Sequence, residues 1–408
     1  MRAADPRWPH RTLDVPALRA AGHQPHPFRQ FVLKVHSRCN LACRYCYIYQ
    51  MADEGWRRQP TVMSPRIVSA AADRIAEHVS AHEIRGGKVV LHGGEPLLAG
   101  PDFIESLAVQ LSRALPPWAA ISLVMQTNGT RLDKPVLDVL LRHGVRVGVS
   151  IDGDRVGSRD RVYPSGRASY PAVTRALALL RTDRYRTLYG GLLCTIPIAS
   201  DPVLTYQSLL EHEPPVIDFL LPHGTWSAPP PARPSDDSSP YADWLLEVFR
   251  RWAATAPPRP SIRLFDAIIA MLLGGPGGTE ALGLAAADTI VIDTDGAIKQ
   301  IDTLAAAYDG AADTGLSVLD DALDAALDHP AIVARQIGTA ALCARCRACA
   351  VRDVCGGGYY PHRYRADDGF RNPSVYCPDL LRLITVIREY VTAEVARLAT
   401  TTSVRCPR

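Results

Sequence analysis

Residues 39–46, Cys39-Asn-Leu-Ala-Cys43-Arg-Tyr-Cys46 (CNLACRYC), decide how this chain is read. Three cysteines stand at CxxxCxxC spacing directly after an apolar run, Phe31 to Ser37 (FVLKVHS). The run reads as a buried strand, so the cysteines fall on the loop past its C-terminal end. Three thiolates so close in sequence can hold three irons of a cubane cluster and leave the fourth without a protein ligand. An open iron is what a cluster needs to bind and reduce a small molecule rather than only carry electrons. The blander readings are a zinc site or a group of buried thiols. Zinc prefers four ligands in paired knuckles, and only His36 stands near, at an unusual offset. A local disulfide does not suit this spacing in a chain that shows no signal peptide.

Working outward, the pattern alternates strand and helix. Strand-like runs are 31–36, 88–92, 121–126, 145–151, 188–196 and 216–221, with helix-like stretches at 64–82, 101–115, 133–143, 169–182 and 201–212 between them. Ser64-Pro65 is an N-cap followed by proline at the first helical position, and Leu137, Leu140 and Leu141 give one helix an apolar stripe. Six βα repeats imply parallel strands with right-handed crossovers. Six falls short of the eight that close a full barrel. The expected fold is α/β, a partial (β/α)6 barrel with its site at the C-terminal strand ends.

Those strand ends carry polar signals. Gly93-Gly94-Glu95-Pro96 follows the second strand. Its glycines let backbone approach a ligand, and Glu95 offers a carboxylate to a cation. Gln126-Thr-Asn128-Gly-Thr follows the third strand and Ser150-Ile-Asp152-Gly-Asp the fourth; Asn-Gly and Asp-Gly are also ordinary turn dipeptides. Cys194, inside the fifth strand, reads as a small buried hydrophobe.

CxxxCx(aromatic)C, with Tyr45 in the aromatic slot, together with GGEP, resembles the radical S-adenosylmethionine (radical SAM) enzymes. In that family the open iron chelates SAM, and electron transfer to SAM yields a 5′-deoxyadenosyl radical that abstracts hydrogen from a substrate. The resemblance implies the same partial barrel and a SAM-binding 4Fe–4S cluster on Cys39, Cys43 and Cys46. It implies SAM contacts from Tyr45, Gly93, Gly94, Glu95, Pro96, Gln126, Asn128, Ser150 and Asp152, with Glu95 on the amino group.

Beyond residue 225 the chain turns rich in Pro, Ser and Asp, around a helix-like stretch at 241–253. Gly275-Pro-Gly-Gly278 reads as a turn; no Lys-Ser/Thr follows it, so it is not a phosphate loop. Residues 288–302 (DTIVIDTDGAIKQID) form two alternating runs joined by Asp295-Gly296, a hairpin signal. Cys343, Cys346, Cys349, Cys355 and Cys377 follow, and 378–400 reads as a closing helix with Leu380, Leu381, Ile384 and Ile387 on its apolar face.

Hairpin, CxxCxxxxxC and a distant cysteine resemble the SPASM domain, which holds auxiliary 4Fe–4S clusters. A full SPASM domain has two such clusters. Here Ile301 and Asp302 stand where the hairpin would supply a cysteine, and Gly358 and Tyr359 where another is expected. The resemblance therefore implies one auxiliary cluster, on Cys346, Cys349, Cys355 and Cys377, and leaves Cys343 unassigned. A zinc knuckle is the alternative for this group.

Ten cysteines, eight of them in the two clusters, point to metal in a reducing compartment, so the cytoplasm is expected. The net charge of +3 does not argue for nucleic acid, and no run reaches the length of a membrane span. The first 58 residues hold ten Arg or Lys against four Asp or Glu. That bias suits a solvated surface, or the holding of an acidic peptide.

The expected organisation is an irregular arm over 1–28, the barrel over 29–256, a bridging region over 257–284 and a SPASM-like domain over 285–408. KVHSRCNLACRYCYIY, DTDGAIKQID and CGGGYYPHRY resemble the FxsB-type branch, which modifies small ribosomally made peptides and includes enzymes that form three-residue cyclophanes. That resemblance implies a precursor peptide as substrate, an external electron donor and, as a further partner, a separate leader-recognition protein. Asp302 and His362 are the candidate proton acceptors. Rival readings are a thioether-forming (sactipeptide-type) maturase, a formylglycine-generating sulfatase maturase, and a non-catalytic iron–sulfur scaffold.

Overall fold

The structure is a computed structural model that describes residues 7–233, 238–366 and 368–403; Cys406 lies outside them. Six strands run parallel in sequence order: β1 (Gln30–His36), β2 (Gly86–Gly93), β3 (Ala120–Thr127), β4 (Arg146–Ser150), β5 (Tyr189–Thr195) and β6 (Val216–Leu220). Five helices connect them: α1 (Pro65–Ala81), α2 (Pro101–Ala114), α3 (Lys134–Arg142), α4 (Tyr170–Leu180) and α5 (Pro202–Leu210). Their starts are capped as the residue types demand. Ser64 Oγ accepts the Ile67 N–H at 3.3 Å, Asp133 the Val136 N–H at 3.0 Å and Asp201 the Leu204 N–H at 2.8 Å.

The helices close one face of the sheet. Phe31, Leu33 and Val35 of β1 are buried against Ala71, Ile75 and Val79 of α1, and Leu137 and Leu140 of α3 are fully buried. Each such aliphatic side chain contributes about 1.5–3 kcal/mol on burial. His78, in the last turn of α1, is buried too. Its Nε2 accepts the Phe28 N–H at 2.9 Å, so Nδ1 carries the proton donated to Asp324.

The sheet does not end at the six strands. After α6 (Pro240–Ala254), β7 (Ser261–Ile262) pairs parallel with β6 and leads into α7 (Arg263–Leu272). The Asp-Gly hairpin, β8 (Thr289–Ile292) and β9 (Ala297–Lys299), turns at Gly296 with φ +88°, and β10 (Asp313–Ser317) adds to it. β8 also pairs parallel with β1, so all ten strands form one sheet in the order β10-β9-β8-β1-β2-β3-β4-β5-β6-β7. The hairpin is thereby an extension of the barrel sheet as well as the start of the cysteine-rich region.

α8 (Cys377–Ser403) packs on α6 and α7. Its buried stripe is Leu380, Leu383, Ile384 and Ile387, and Leu381 is exposed. The expected face was wrong by one residue: Leu383 has the i, i+3, i+4 spacing and Leu381 stands about 100° off it. The N-terminal arm also departs from expectation. It includes a helix, Val15–Ala20, and Trp8 is buried with Ile301, Leu304, Tyr308, Tyr360, Tyr364 and Phe370. No helix among the described residues is long and apolar enough to cross a membrane.

Candidate active site

The loop after β1 turns back over the top of the sheet and is held by its own polar residues. Ala42 N–H donates to Val162 O at 2.7 Å and Arg44 N–H to Asp160 O at 3.2 Å. Asn128 Nδ2 donates to Asn40 Oδ1 at 2.9 Å and reaches Cys39 Sγ at 3.6 Å, while Asn40 Nδ2 donates to Thr130 at 2.9 Å. Cys39, Cys43 and Cys46 all line one cavity of about 440 Å³ and form no disulfide. Burial pushes the Cys39 thiol up to about 12 and raises those of Cys43 and Cys46. A cationic centre reverses that preference by holding thiolates directly. Leu41 N–H, 3.3 Å from Cys39 Sγ, is the kind of donor a ligating thiolate uses. The donor set therefore fits a cluster. His36 does not add to it through Nδ1, which is engaged by the Arg38 backbone, 2.9 Å from its O and 3.2 Å from its N.

The two glycines of GGEP serve the protein's own packing. Gly94 N–H donates to His36 O at 2.8 Å and Glu95 N–H to Arg38 O at 3.1 Å, knitting the end of β2 to the cysteine loop. A Cβ on Gly94 would lie 1.9 Å from Tyr49 Oη and 2.4 Å from Arg38 O; one on Gly93 would lie 2.2 Å from His36 O. What the glycine backbone approaches closely is the cysteine loop, although both residues also line the cavity.

Glu95 is fully buried. Thr127 Oγ1 at 2.6 Å and the Leu97 N–H at 3.1 Å donate to Oε1, and the Asn128 N–H at 2.8 Å donates to Oε2. Burial raises its pKa against those donors. Neutral donors surround the carboxylate on the cavity wall, a setting that favours capture of a ligand ammonium. Pro96 sits behind it and does not line the cavity.

Gln126 Nε2 donates to Ser150 Oγ at 2.9 Å, and both line the cavity with Asn128. Asp152 does not. It is a support behind Tyr45, accepting from the Tyr45 hydroxyl and, at 2.9 Å, from the Thr195 N–H. Arg161 completes the group, donating to Tyr45 Oη at 2.7 Å. Arg161 lines the cavity, is buried, and has an Nε without a partner. Sequence reading missed it: Arg155 and Arg159 stand beside it in the same loop, so nothing local marks it out. Cys194 belongs to the core, while its neighbours Leu193 and Thr195 face the cavity, as strand alternation requires.

A polar cluster at the cavity wall brings both proton-acceptor candidates together, with His362 in the lining and Asp302 behind it. Tyr47 donates to Asp302 Oδ2 at 2.9 Å, and His92 Nδ1 lies 3.6 Å from the same oxygen. The Tyr47 ring meets His223 edge to face at 4.9 Å between centroids, and His223 Nδ1 is 3.4 Å from His362 Nε2. Burial holds the pKa of His223 down to about 4 and that of His362 well below the ordinary value, so both are neutral near pH 7. Thr303 and Tyr359 share a hydrogen bond of 2.7 Å beside them. Tyr47, His92 and His223 carried no sequence signal of their own.

The second cysteine group converges as well. Cys346 interacts with Cys343, Cys355 and Cys377, and Cys355 and Cys377 with each other and with Cys349. Cys343, unassigned from sequence, lies within hydrogen-bonding reach of Cys346. Behind them Arg363 Nη2 donates to Gly356 O and Gly358 O, both at 2.6 Å. Where a second auxiliary cluster would need ligands the chain has the aromatic cluster around Ile301, Tyr360 and Trp8. The thiols, Cys346 buried and the others partly so, fit one such group there.

An α/β sheet with a thiol triad, a buried carboxylate and a cavity at the C-terminal strand ends has the donor set of a metal-cluster enzyme. Residues 33–192 match the sequence profile of the radical SAM superfamily. The serine-type anaerobic sulfatase-maturating enzyme of Klebsiella aerogenes is 24% identical over 353 residues, 85% of this chain and 82% of that one. The cysteine-type enzyme of Clostridium perfringens is 23% identical over 286 residues, 68% of this chain and 74% of its own. Among solved structures, native anSMEcpe with bound AdoMet and Cp18Cys peptide superposes with a TM-score of 0.75 at 21% identity, covering 92% of this chain and all of that one. Streptococcus suis SuiB bound to precursor peptide SuiA superposes at 0.52 and 12% identity, covering 88% and 77%. At these identities the superpositions establish the fold, a radical SAM barrel with a SPASM-like C-terminal region. Residues 33–192 form a radical SAM domain, and the thiol triad and buried Glu95 on its cavity wall are residues that would hold a 4Fe–4S cluster and SAM.

Proposed function

We propose that this enzyme is a peptide maturase that joins a side-chain β-carbon of a ribosomally made precursor to a nearby aromatic ring, forming a three-residue cyclophane. One observation carries the reading. The cysteine triad, Tyr47, His223 and His362 line a single cavity, and Asp302 accepts from Tyr47 behind that lining. When bound, SAM and the clusters supply a hydrogen-abstracting 5′-deoxyadenosyl radical and take up the electron released when the ring regains aromaticity.

The protein's residues then have separate tasks. Cys39, Cys43 and Cys46 hold the SAM-binding cluster; Cys346, Cys349, Cys355 and Cys377 hold the auxiliary one. Glu95 takes the SAM amino group. Asn128, Gln126 and Ser150 orient SAM, while Asp152 and Arg161 fix Tyr45 beside the triad. Asp302 accepts the ring proton through Tyr47, whose hydroxyl lies between Asp302 and the cavity, with the neutral imidazoles of His223 and His362 beside it. Apolar walls from Leu193, Phe219, Leu220 and Leu282 exclude water and position the peptide.

A second reading follows from the relatives. Likeness to a serine-type sulfatase-maturating enzyme over 85% of the chain favours oxidation of a serine or cysteine side chain to an aldehyde. Anaerobic co-expression with the short peptide encoded beside the gene, followed by fragmentation mass spectrometry, separates the two. Loss of two hydrogens mapped to an aromatic residue and a partner two positions later, in a cysteine-free peptide, is expected. Loss confined to one serine or cysteine supports the second reading, and a link to a cysteine sulfur means thioether formation.

A further inference from the structure

One wall of the cavity carries Glu280, held from behind by Arg335, which does not itself line the cavity; the chemistry above uses neither. Thr279, Glu280, Ala281 and Leu282 line the cavity. They sit in a glycine-rich loop, Gly274-Gly-Pro-Gly-Gly278-Thr-Glu-Ala-Leu-Gly283. Gly274, Gly278 and Gly283 have φ of +83°, +65° and +86°, conformations that side-chain-bearing residues rarely adopt. A Cβ on Gly274 or Gly278 would meet nothing within 4 Å, whereas one on Gly277 would lie 2.7 Å from Met271 Sδ, so the near end of the loop is open at two of its glycines and rests on a flexible side chain at a third. The far end is not: a Cβ on Gly356 would lie 1.7 Å from Gly283 O.

Glu280 reaches from this loop to Arg335, accepting from Nη2. The two partners are held very differently. The Arg335 side chain is 2% exposed and that of Glu280 22%. Arg335 is tied to the scaffold through its backbone, donating to Ile332 O at 2.9 Å and accepting from the Ala287 N–H at 3.1 Å. Its Nε is buried without a partner. A guanidinium presents Nε–H and Nη2–H as a parallel pair that matches both oxygens of one carboxylate. Glu280 uses half of that edge.

Resting on the peptide-maturase reading, we propose that Glu280 stands in for a substrate carboxylate. An entering peptide displaces the loop and seats its own carboxylate on the Nε–Nη2 edge of Arg335. The site then selects peptides that bring an acidic side chain or a free C-terminus into the cavity. Buried arginine cannot be left unpaired without cost, so the loop opens only as the substrate's charge replaces that of Glu280.

The test uses reconstituted holoenzyme with SAM and three probes: Ac-Ala-Ala-Phe-Ala-Asp-Ala-Ala-NH2, the same peptide with Asn for Asp, and that Asn peptide with a free C-terminal carboxylate. Binding is read by calorimetry. Glu280→Gln is expected to bind a carboxylate-bearing peptide at least tenfold tighter than wild type, with the neutral peptide unchanged within twofold. The Glu280→Gln/Arg335→Gln double variant is expected to lose the preference. Which acidic probe gains identifies the carboxylate's source. Hydrogen exchange over 274–286 is expected to accelerate in Glu280→Gln, and in wild type on adding the preferred peptide only. Equal binding of all three peptides by Glu280→Gln, a preference that survives in the double variant, or unchanged exchange overturns the proposal. Crosslinking without carboxylate preference sinks this inference alone; carboxylate preference without crosslinking sinks only the proposed function.

Discussion

Gly94→Ala is the sharpest structural test of how the site is assembled. The added methyl would sit 2.4 Å from Arg38 O and 1.9 Å from Tyr49 Oη, and Tyr49 is itself fixed by donating to Ser37 O at 3.0 Å. The obstacle is backbone, so the end of β2 and the cysteine loop must separate by about 1 Å to reach ordinary contact. Separation weakens the Gly94–His36 and Glu95–Arg38 backbone bonds, each worth about 0.5–1.5 kcal/mol. Overpacking adds about 1–3 kcal/mol. The expected loss is about 2–5 kcal/mol, read from anaerobic chemical denaturation of the reduced apoprotein. Gly86→Ala is the control, since a Cβ there meets nothing within 4 Å, and it should change stability by less than about 0.5 kcal/mol. If Gly94→Ala unfolds like Gly86→Ala, the close approach is not what holds the two loops together.

Three further outcomes are expected. Reconstituted protein should carry about eight irons, four for each of two clusters; Cys355→Ala should halve that count, and about twelve irons would contradict an aromatic cluster in place of the second auxiliary site. Asp302→Asn keeps a partner for Tyr47 but cannot accept the ring proton. Peptide product should fall about 10²–10⁴-fold while deoxyadenosine formation continues, and equal loss of both would assign Asp302 to SAM binding instead. His78 stays neutral in the fold because burial depresses its pKa below the ordinary 6.5, against the pull of Asp324. Below pH 6.5 the unfolded chain therefore binds a proton that the folded chain refuses, so stability falls as pH drops from 7 toward the depressed value. His78→Gln should flatten that slope by up to about 1.4 kcal/mol per pH unit, as measured by denaturation at pH 7, 6 and 5.

Much of this architecture is written in short-range pattern. The apolar run at 31–36 and the cap at Ser64 fix β1 and α1 almost to the residue, because alternation and capping are local effects. The cysteine spacing likewise marks the thiol triad, which needs only one loop to assemble. What local pattern does not encode is pairing between distant segments. β8 joins β1 through Leu33 and Ile292, and no feature of either run announces the other. The same holds for Arg161 beside Tyr45 and for His223 between Tyr47 and His362, each brought in from a different strand end. Gly93 and Gly94 were legible as glycines that permit close approach, but what they approach is the β1 loop, known only from the fold. Leu381 was misplaced because its position differs from Leu380 by a single step of the helix.

The central claim is tested most directly with isotopes. The precursor peptide is prepared with deuterium on the aromatic ring and on the β-carbon of the partner two positions later, then converted anaerobically by the holoenzyme. Cyclophane formation predicts one β-deuterium in 5′-deoxyadenosine and one ring deuterium released to solvent for each crosslink. A product that loses β-deuterium yet keeps every ring deuterium would contradict carbon–carbon bond formation and place the enzyme with the oxidising maturases.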